Sequence, residues 1–114
     1  GFFDLIMLSQ KNFIAETSSA NIFWIKKNTI FTPAKECDII LGTMRSKIIK
    51  LIAKNNNFEI NQICTKTSAL FSAEEVFLAN ANGVIISVST SAVIVKDLFL
   101  RFGALPSGIL TPLE

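Results

Sequence analysis

A chain of 114 residues fits one domain, or one lobe of a larger protein, and is long enough to bury a core. Half of its residues are hydrophobic, 18% are charged and the mean hydropathy is +0.48, which is apolar for a small soluble monomer and leaves three readings: a membrane segment, a large subunit interface, or a lobe that packs against a neighbour. A net charge of +2 with no basic patch interleaved with aromatics argues against a nucleic-acid partner, and the absence of histidine removes the commonest general base and metal ligand.

In chain order, "FFDLIML", "SQKN" and "FIAE" read as strand, turn and strand, and "SANIFWIKKNTIFT" repeats the pattern with "KKN" at the turn. The first third is therefore an antiparallel meander. "PAKECDIILG" is a connection, opened by Pro33 and closed by Gly42. From Thr43 to about Lys54, Met44, Ile48, Leu51 and Ile52 fall at helical spacing, with Lys47, Lys50 and Lys54 elsewhere on the wheel. "FEINQICTK" reads as a strand and "TSALFSAEE" as a short helix capped by Thr67 or Ser68.

The uncharged run "VFLANANGVIISVSTSAVIV" (76–95) has the length of a bilayer span. Its "NANG" turn and β-branched flanks predict two buried strands and a tight turn instead, so no membrane contact is expected. Lys96 to Phe102 reads as one or two helical turns, broken by Gly103 and Pro106. The mixture makes the fold α/β, or α+β.

Cys37 and Cys64 have no metal-site spacing; pairing is open to them, but a reduced pair in a cytoplasmic protein is the plainer expectation. No metal is expected. The N-terminus "GFFDLIML" has no basic n-region and is not read as a signal peptide.

Three short pieces, "ETSSANIF" (16–23), "IFT" (30–32) and "ILGTMR" (40–45), in this order and spacing, resemble the signature of the class IV aminotransferases, the fold-type IV pyridoxal phosphate enzymes. "AEEVFLANANGVIISV" (73–88) is similar to that family's next block. The resemblance implies the C-terminal lobe of the D-amino acid aminotransferase-like fold: an antiparallel meander, then a helix and mixed strands. The lobe would occupy residues 1–95 and a divergent tail residues 96–114.

It also implies the site. Glu16 would keep the cofactor ring nitrogen protonated, where otherwise it is a carboxylate at a strand end. Thr43 and Met44 would hold the phosphate through amides at a helix N-terminus, where otherwise they are an ordinary helix start. The signature prefers an aliphatic residue at Thr43, a departure that main-chain binding tolerates. Arg45 matches a basic position, for which a structural role comes first. Asn80 and Ala81 would stand at the cofactor, with Ala81 replacing a threonine whose hydroxyl reaches the phosphate. Asn82 and Gly83 would offer two amides to the substrate carboxylate.

The Asn80–Ala81 pair, and Trp24 after "NIF", resemble aminodeoxychorismate lyase, which implies pyruvate elimination giving 4-aminobenzoate for folate synthesis. A branched-chain or D-amino acid transaminase is the alternative, and a non-catalytic association domain the second. The family's Schiff-base lysine would lie upstream of Gly1, so the isolated chain is expected to be inactive and its hold on pyridoxal phosphate incomplete. A small-molecule substrate, and a homo-oligomer or a missing N-terminal lobe, complete the expected partners.

Overall fold

The structure, a computed structural model, describes residues 6–8, 12–17, 20–37, 39, 42–54, 57–82, 84–88, 91–102 and 108–110. Eight strands and three α-helices follow one another as β1 (Ile6–Leu8), β2 (Ile14–Thr17), β3 (Ala20–Lys26), β4 (Thr29–Pro33), α1 (Thr43–Ala53), β5 (Glu59–Ile63), α2 (Ser68–Phe71), β6 (Glu75–Asn80), β7 (Val84–Ser87), α3 (Val93–Phe102) and β8 (Gly108–Leu110). A six-stranded mixed sheet has the order β5-β4-β3-β6-β7-β8, and β1-β2 form a separate antiparallel pair. The expected meander is thus divided between two sheets. Among the described residues no helix is long and apolar enough to cross a membrane, and the run from Val76 forms two strands and a turn.

The central strands are buried on both faces, so their sequences run apolar without alternation. Phe23 and Ile25 of β3, with Phe77 and Ala79 of β6, join Met44, Ile48 and Ile52 of α1 and Val95, Leu98 and Phe99 of α3 in one cluster. Ile22 and Trp24, with Val76 and Leu78, turn to the other face, where Ile14 of β2 and Ala69 and Leu70 of α2 cover them. The result is three layers. Phe23 and Phe77 pair directly across the strands and stack at 4.9 Å between centroids, and Phe99 meets Phe77 edge-on at 5.7 Å. Burying each such ring contributes roughly 1.5–3 kcal/mol.

The β3–β4 hairpin turns through Lys27 and Asn28, both with positive φ (51° and 62°), the backbone of a primed two-residue turn. Glu74 Oε1 accepts the Lys27 amide at 2.6 Å and anchors that turn. β4 and β5 are parallel, joined by α1; β7 and β8 are parallel, joined by α3.

α3 begins at Val93, three residues before the expected start. Its first turn is held by a side chain far away in sequence. Glu75, buried at the start of β6, accepts the amides of Ile94 and Val95 at 2.9 Å each and the Ser91 hydroxyl at 3.1 Å. A carboxylate here satisfies helix donors that have no intrahelical acceptor and complements the helix dipole. The helix crosses position 95 and places Val95, Leu98 and Phe99 in the main core. Thr67 precedes α2 in helical conformation and neither it nor Ser68 makes a side-chain cap, in contrast to the expectation.

Cys37 and Cys64 are disulfide-bonded, which corrects the expectation of a reduced pair. Parallel pairing explains why. Pro33 is in register with Ile63, the Ala34 amide donates to the Ile63 carbonyl at 3.3 Å, and a single helical turn at Lys35–Cys37 swings Cys37 back. Residues 27 apart in sequence thereby come to a Cα–Cα distance of 5.9 Å.

Replacing Glu75 with Ala leaves three donors without their acceptor. The chain should lose about 2–3 kcal/mol in urea unfolding, and amide exchange should rise first at Ile94 and Val95; unchanged stability would show that the cap is dispensable.

Candidate functional site

The signature pieces converge at one end of the sheet. β3 runs antiparallel to both neighbours, so its start lies beside the end of β4 and the end of β6. The register Ala20↔Asn80 and Asn21↔Ala79 puts the 80–83 turn next to the start of β3. α1 follows β4 and begins at the same end.

Gly42, the residue before α1, is extended (φ −84°, ψ 156°), so backbone freedom is not the reason for glycine. Space is. A Cβ at Gly42 would lie 3.0 Å from Asn21 Oδ1, tighter than a relaxed contact allows. The first and last signature pieces therefore touch through Asn21 and Gly42. α1 has no side-chain cap and no acidic residue in its first turn. Its first backbone bond is from the Ser46 amide to the Gly42 carbonyl, which leaves the amides of Thr43, Met44 and Arg45 without an intrahelical acceptor. Thr43 is exposed, whereas the Met44 side chain is buried in the core. Only main-chain groups of Met44 can serve a ligand, and the Thr43 side chain meets no packing constraint.

Arg45 points elsewhere. It is buried, donates from Nη2 to the Pro33 carbonyl at 3.0 Å and to Gln62 Oε1 at 2.8 Å, and its Nε has no partner among the described residues. Burial lowers its pKa. The guanidinium fastens α1 to β4 and β5, the structural role anticipated for it. Thr32, in the "IFT" piece, is fully buried and donates its hydroxyl to the Ile22 carbonyl at 2.8 Å. Continuing the β3–β4 register puts Pro33 opposite Ile22, and proline has no N–H to offer. Thr32 supplies the missing donor. Neither this role nor the Glu75 cap was derived from the sequence, although the proline after Thr32 was a usable signal.

At the other side of the site, Asn80 Oδ1 accepts the amides of Asn82 (2.9 Å) and Val84 (3.1 Å) and closes the turn upon itself. Ala81 and Asn82 are exposed. The Asn82 amide is thus engaged, and a carboxylate taking it displaces the Asn80 oxygen. Glu16 lies on β2 in register with Met7, and its side chain is outside the described residues, as is Gly83. Among the described lysines, Lys47 and Lys50 are exposed on α1, Lys54 just past its end and Lys27 at the hairpin turn, while Lys26 is half-buried. Lys11 lies outside the described residues.

The family described as amino-transferase class IV matches residues 1–90. Similar proteins include branched-chain amino acid aminotransferase 1, mitochondrial, of Humulus lupulus, 39% identical over 79 residues that make up 68% of this chain and 20% of that protein. Aminodeoxychorismate lyase of Vibrio harveyi is 29% identical over 80 residues, 70% of this chain and 29% of that protein. Most of the curated relatives are branched-chain aminotransferases. The branched-chain amino acid aminotransferase from Escherichia coli superposes with a TM-score of 0.78 at 26% identity, over 89% of this chain and 38% of that one. This chain therefore spans well under half of the proteins it resembles. Members of the family bind pyridoxal phosphate.

The Asn21–Gly42 contact makes a non-additive pair. Gly42→Ala should cost about 1 kcal/mol in the wild-type background and markedly less when Asn21 is also Ala, as read by chemical unfolding of the four chains. Equal costs in both backgrounds would show that the approach is not tight. Asn80→Ala should cost about 1–2 kcal/mol by leaving two turn amides without an acceptor; an unchanged melting curve would contradict that role.

Proposed function

The chain belongs to the class IV aminotransferases, and from that premise we propose that it is the C-terminal, phosphate-holding lobe of a branched-chain amino acid aminotransferase. The observation that carries the reading is the meeting of Asn21 and Gly42, where a Cβ would intrude, beside the uncapped start of α1. That cradle suits a phosphate: the first amides of α1 have no intrahelical acceptor, the helix dipole favours its charge, and no acid of the first turn opposes it.

Pyridoxal phosphate, when bound, accepts the electron pair released at the substrate Cα. This chain's part is to hold and orient. The main chain at 42–44 fixes the phosphate, Glu16 holds a proton at the ring nitrogen, and the amides of Asn82 and Gly83 take the substrate carboxylate. Asn80 shapes the turn that presents them. The lysine that bonds the cofactor comes, in this reading, from outside residues 1–114, and the lysines exposed on α1 and at the hairpin turn serve as solvated surface groups.

Asn80–Ala81 and Trp24 are the residues that resemble a lyase. In the structure Asn80 is a turn-former and Trp24 a core residue stacked on Phe31 at 5.8 Å, so both have roles that do not depend on a substrate. With those marks accounted for, the preponderance of branched-chain relatives favours the transaminase. A lyase is kept as the second reading because the Vibrio harveyi enzyme is similar over 70% of this chain.

The complete polypeptide should transfer the amino group of leucine, isoleucine or valine to a 2-oxo acid, and should release no pyruvate from aminodeoxychorismate. Pyruvate release without transamination would replace this reading by the second. For the chain alone, borohydride reduction in the presence of pyridoxal phosphate followed by peptide mapping should give no stoichiometric adduct; a single fully labelled lysine would place the reactive residue within it.

A further inference from the structure

We propose that Cys37 and Cys64 form a reversible two-electron switch that steadies the start of α1 when oxidised and loosens it when reduced. The inference goes beyond the functional reading and does not depend on a bound cofactor.

Three observations carry it. The first is that the backbone, not the bridge, brings the two residues together: Pro33↔Ile63 pairing, the Ala34 amide on the Ile63 carbonyl (3.3 Å) and the Cys37 amide on the Ala34 carbonyl (2.9 Å) set the 5.9 Å Cα separation. Those backbone bonds keep the reduced thiols near enough for intramolecular closure, and the covalent bridge adds a restraint on Cys37 beyond them. The second is what the bridge encloses. It joins the segment leaving β4 to the residue that follows β5 at the same end of the sheet, and four residues separate Cys37 from Gly42. Tethering Cys37 therefore places a covalent restraint a few residues before the uncapped amides of α1. The third is unequal access: Cys37 is fully buried and Cys64 only half-buried.

Access assigns the chemistry. The Cys64 thiolate attacks one sulfur of a low-molecular-weight disulfide such as glutathione disulfide and expels one glutathione thiolate. The Cys37 thiolate then attacks the Cys64 sulfur of the mixed disulfide and expels the second. Two protein thiols are oxidised, one glutathione disulfide is reduced to two glutathione molecules, and the two protons pass to the departing thiolates. A pair that opens and closes in this way suits a reducing compartment, where static bridges are rare and transient ones serve redox sensing.

The test equilibrates the chain in glutathione buffers from fully reducing to fully oxidising, maps the bridge by mass spectrometry and follows amide hydrogen exchange. Within the glutathione range the Cys37–Cys64 bridge should open and close, and on opening the amides of residues 42–46 should exchange at least about tenfold faster while those of β3 and β6 are unchanged. The C37S/C64S double variant should show the reduced pattern under both conditions. Thiols that stay free in excess glutathione disulfide, a bridge between chains, a bridge that glutathione cannot reduce, or loss of protection throughout the sheet on reduction would each overturn the proposal.

Discussion

The candidate site hangs from one antiparallel register, that between β3 and β6. Phe23 stacked on Phe77 fixes it at the centre, and both strands are buried on both faces, so a slip of one residue would drive every side chain into the wrong layer. With that register set, Ala20 must lie against Asn80 and the 80–83 turn must stand at the start of β3. The β3–β4 hairpin then delivers α1 to the same end. Rings in the core thus determine where main-chain amides converge some residues away.

Polar groups inside the fold are used as fasteners. Thr32 replaces a donor that Pro33 lacks, Arg45 ties α1 to two strands, and Glu75 ties α3 to β6. Each sits where an unsatisfied backbone group or a helix end would otherwise be buried, at a cost of about 1–3 kcal/mol. The two crossover helices differ in one consequential way. α3 has its first amides filled by Glu75, whereas α1 has no side-chain cap. A helix start kept open beside Gly42 and Asn21 is the contrast on which the proposed anion-holding role of α1 rests.

Much of this was legible in the sequence. Apolar runs flanking the turn signals "KKN" and "NANG" located the strands, and the spacing of Met44, Ile48 and Ile52 located α1 and its buried face. What was not legible depends on partners distant in the chain. Cys37 and Cys64 are brought together only by parallel pairing across a helix, so their 27-residue separation carried no local sign. α3 was begun three residues late because its cap, Glu75, belongs to another strand and the "SAVIV" run looks β-branched rather than helical. Asn80 and Trp24 read as marks of substrate, while their contacts are those of a turn and a core. The motif residues on the first and last signature pieces were legible as an ordered set, and the close approach of Gly42 to Asn21 gives a physical reason for that order.

The most direct test of the central claim, that the start of α1 is the phosphate end of a cofactor site, is an amide NMR titration of this chain with pyridoxal phosphate and, separately, with pyridoxal. The account predicts saturable shifts of the Gly42, Thr43 and Met44 amides with the phosphorylated compound and none of comparable size with pyridoxal. Equal shifts with both compounds, or shifts confined to residues away from α1 and the 80–83 turn, would contradict it.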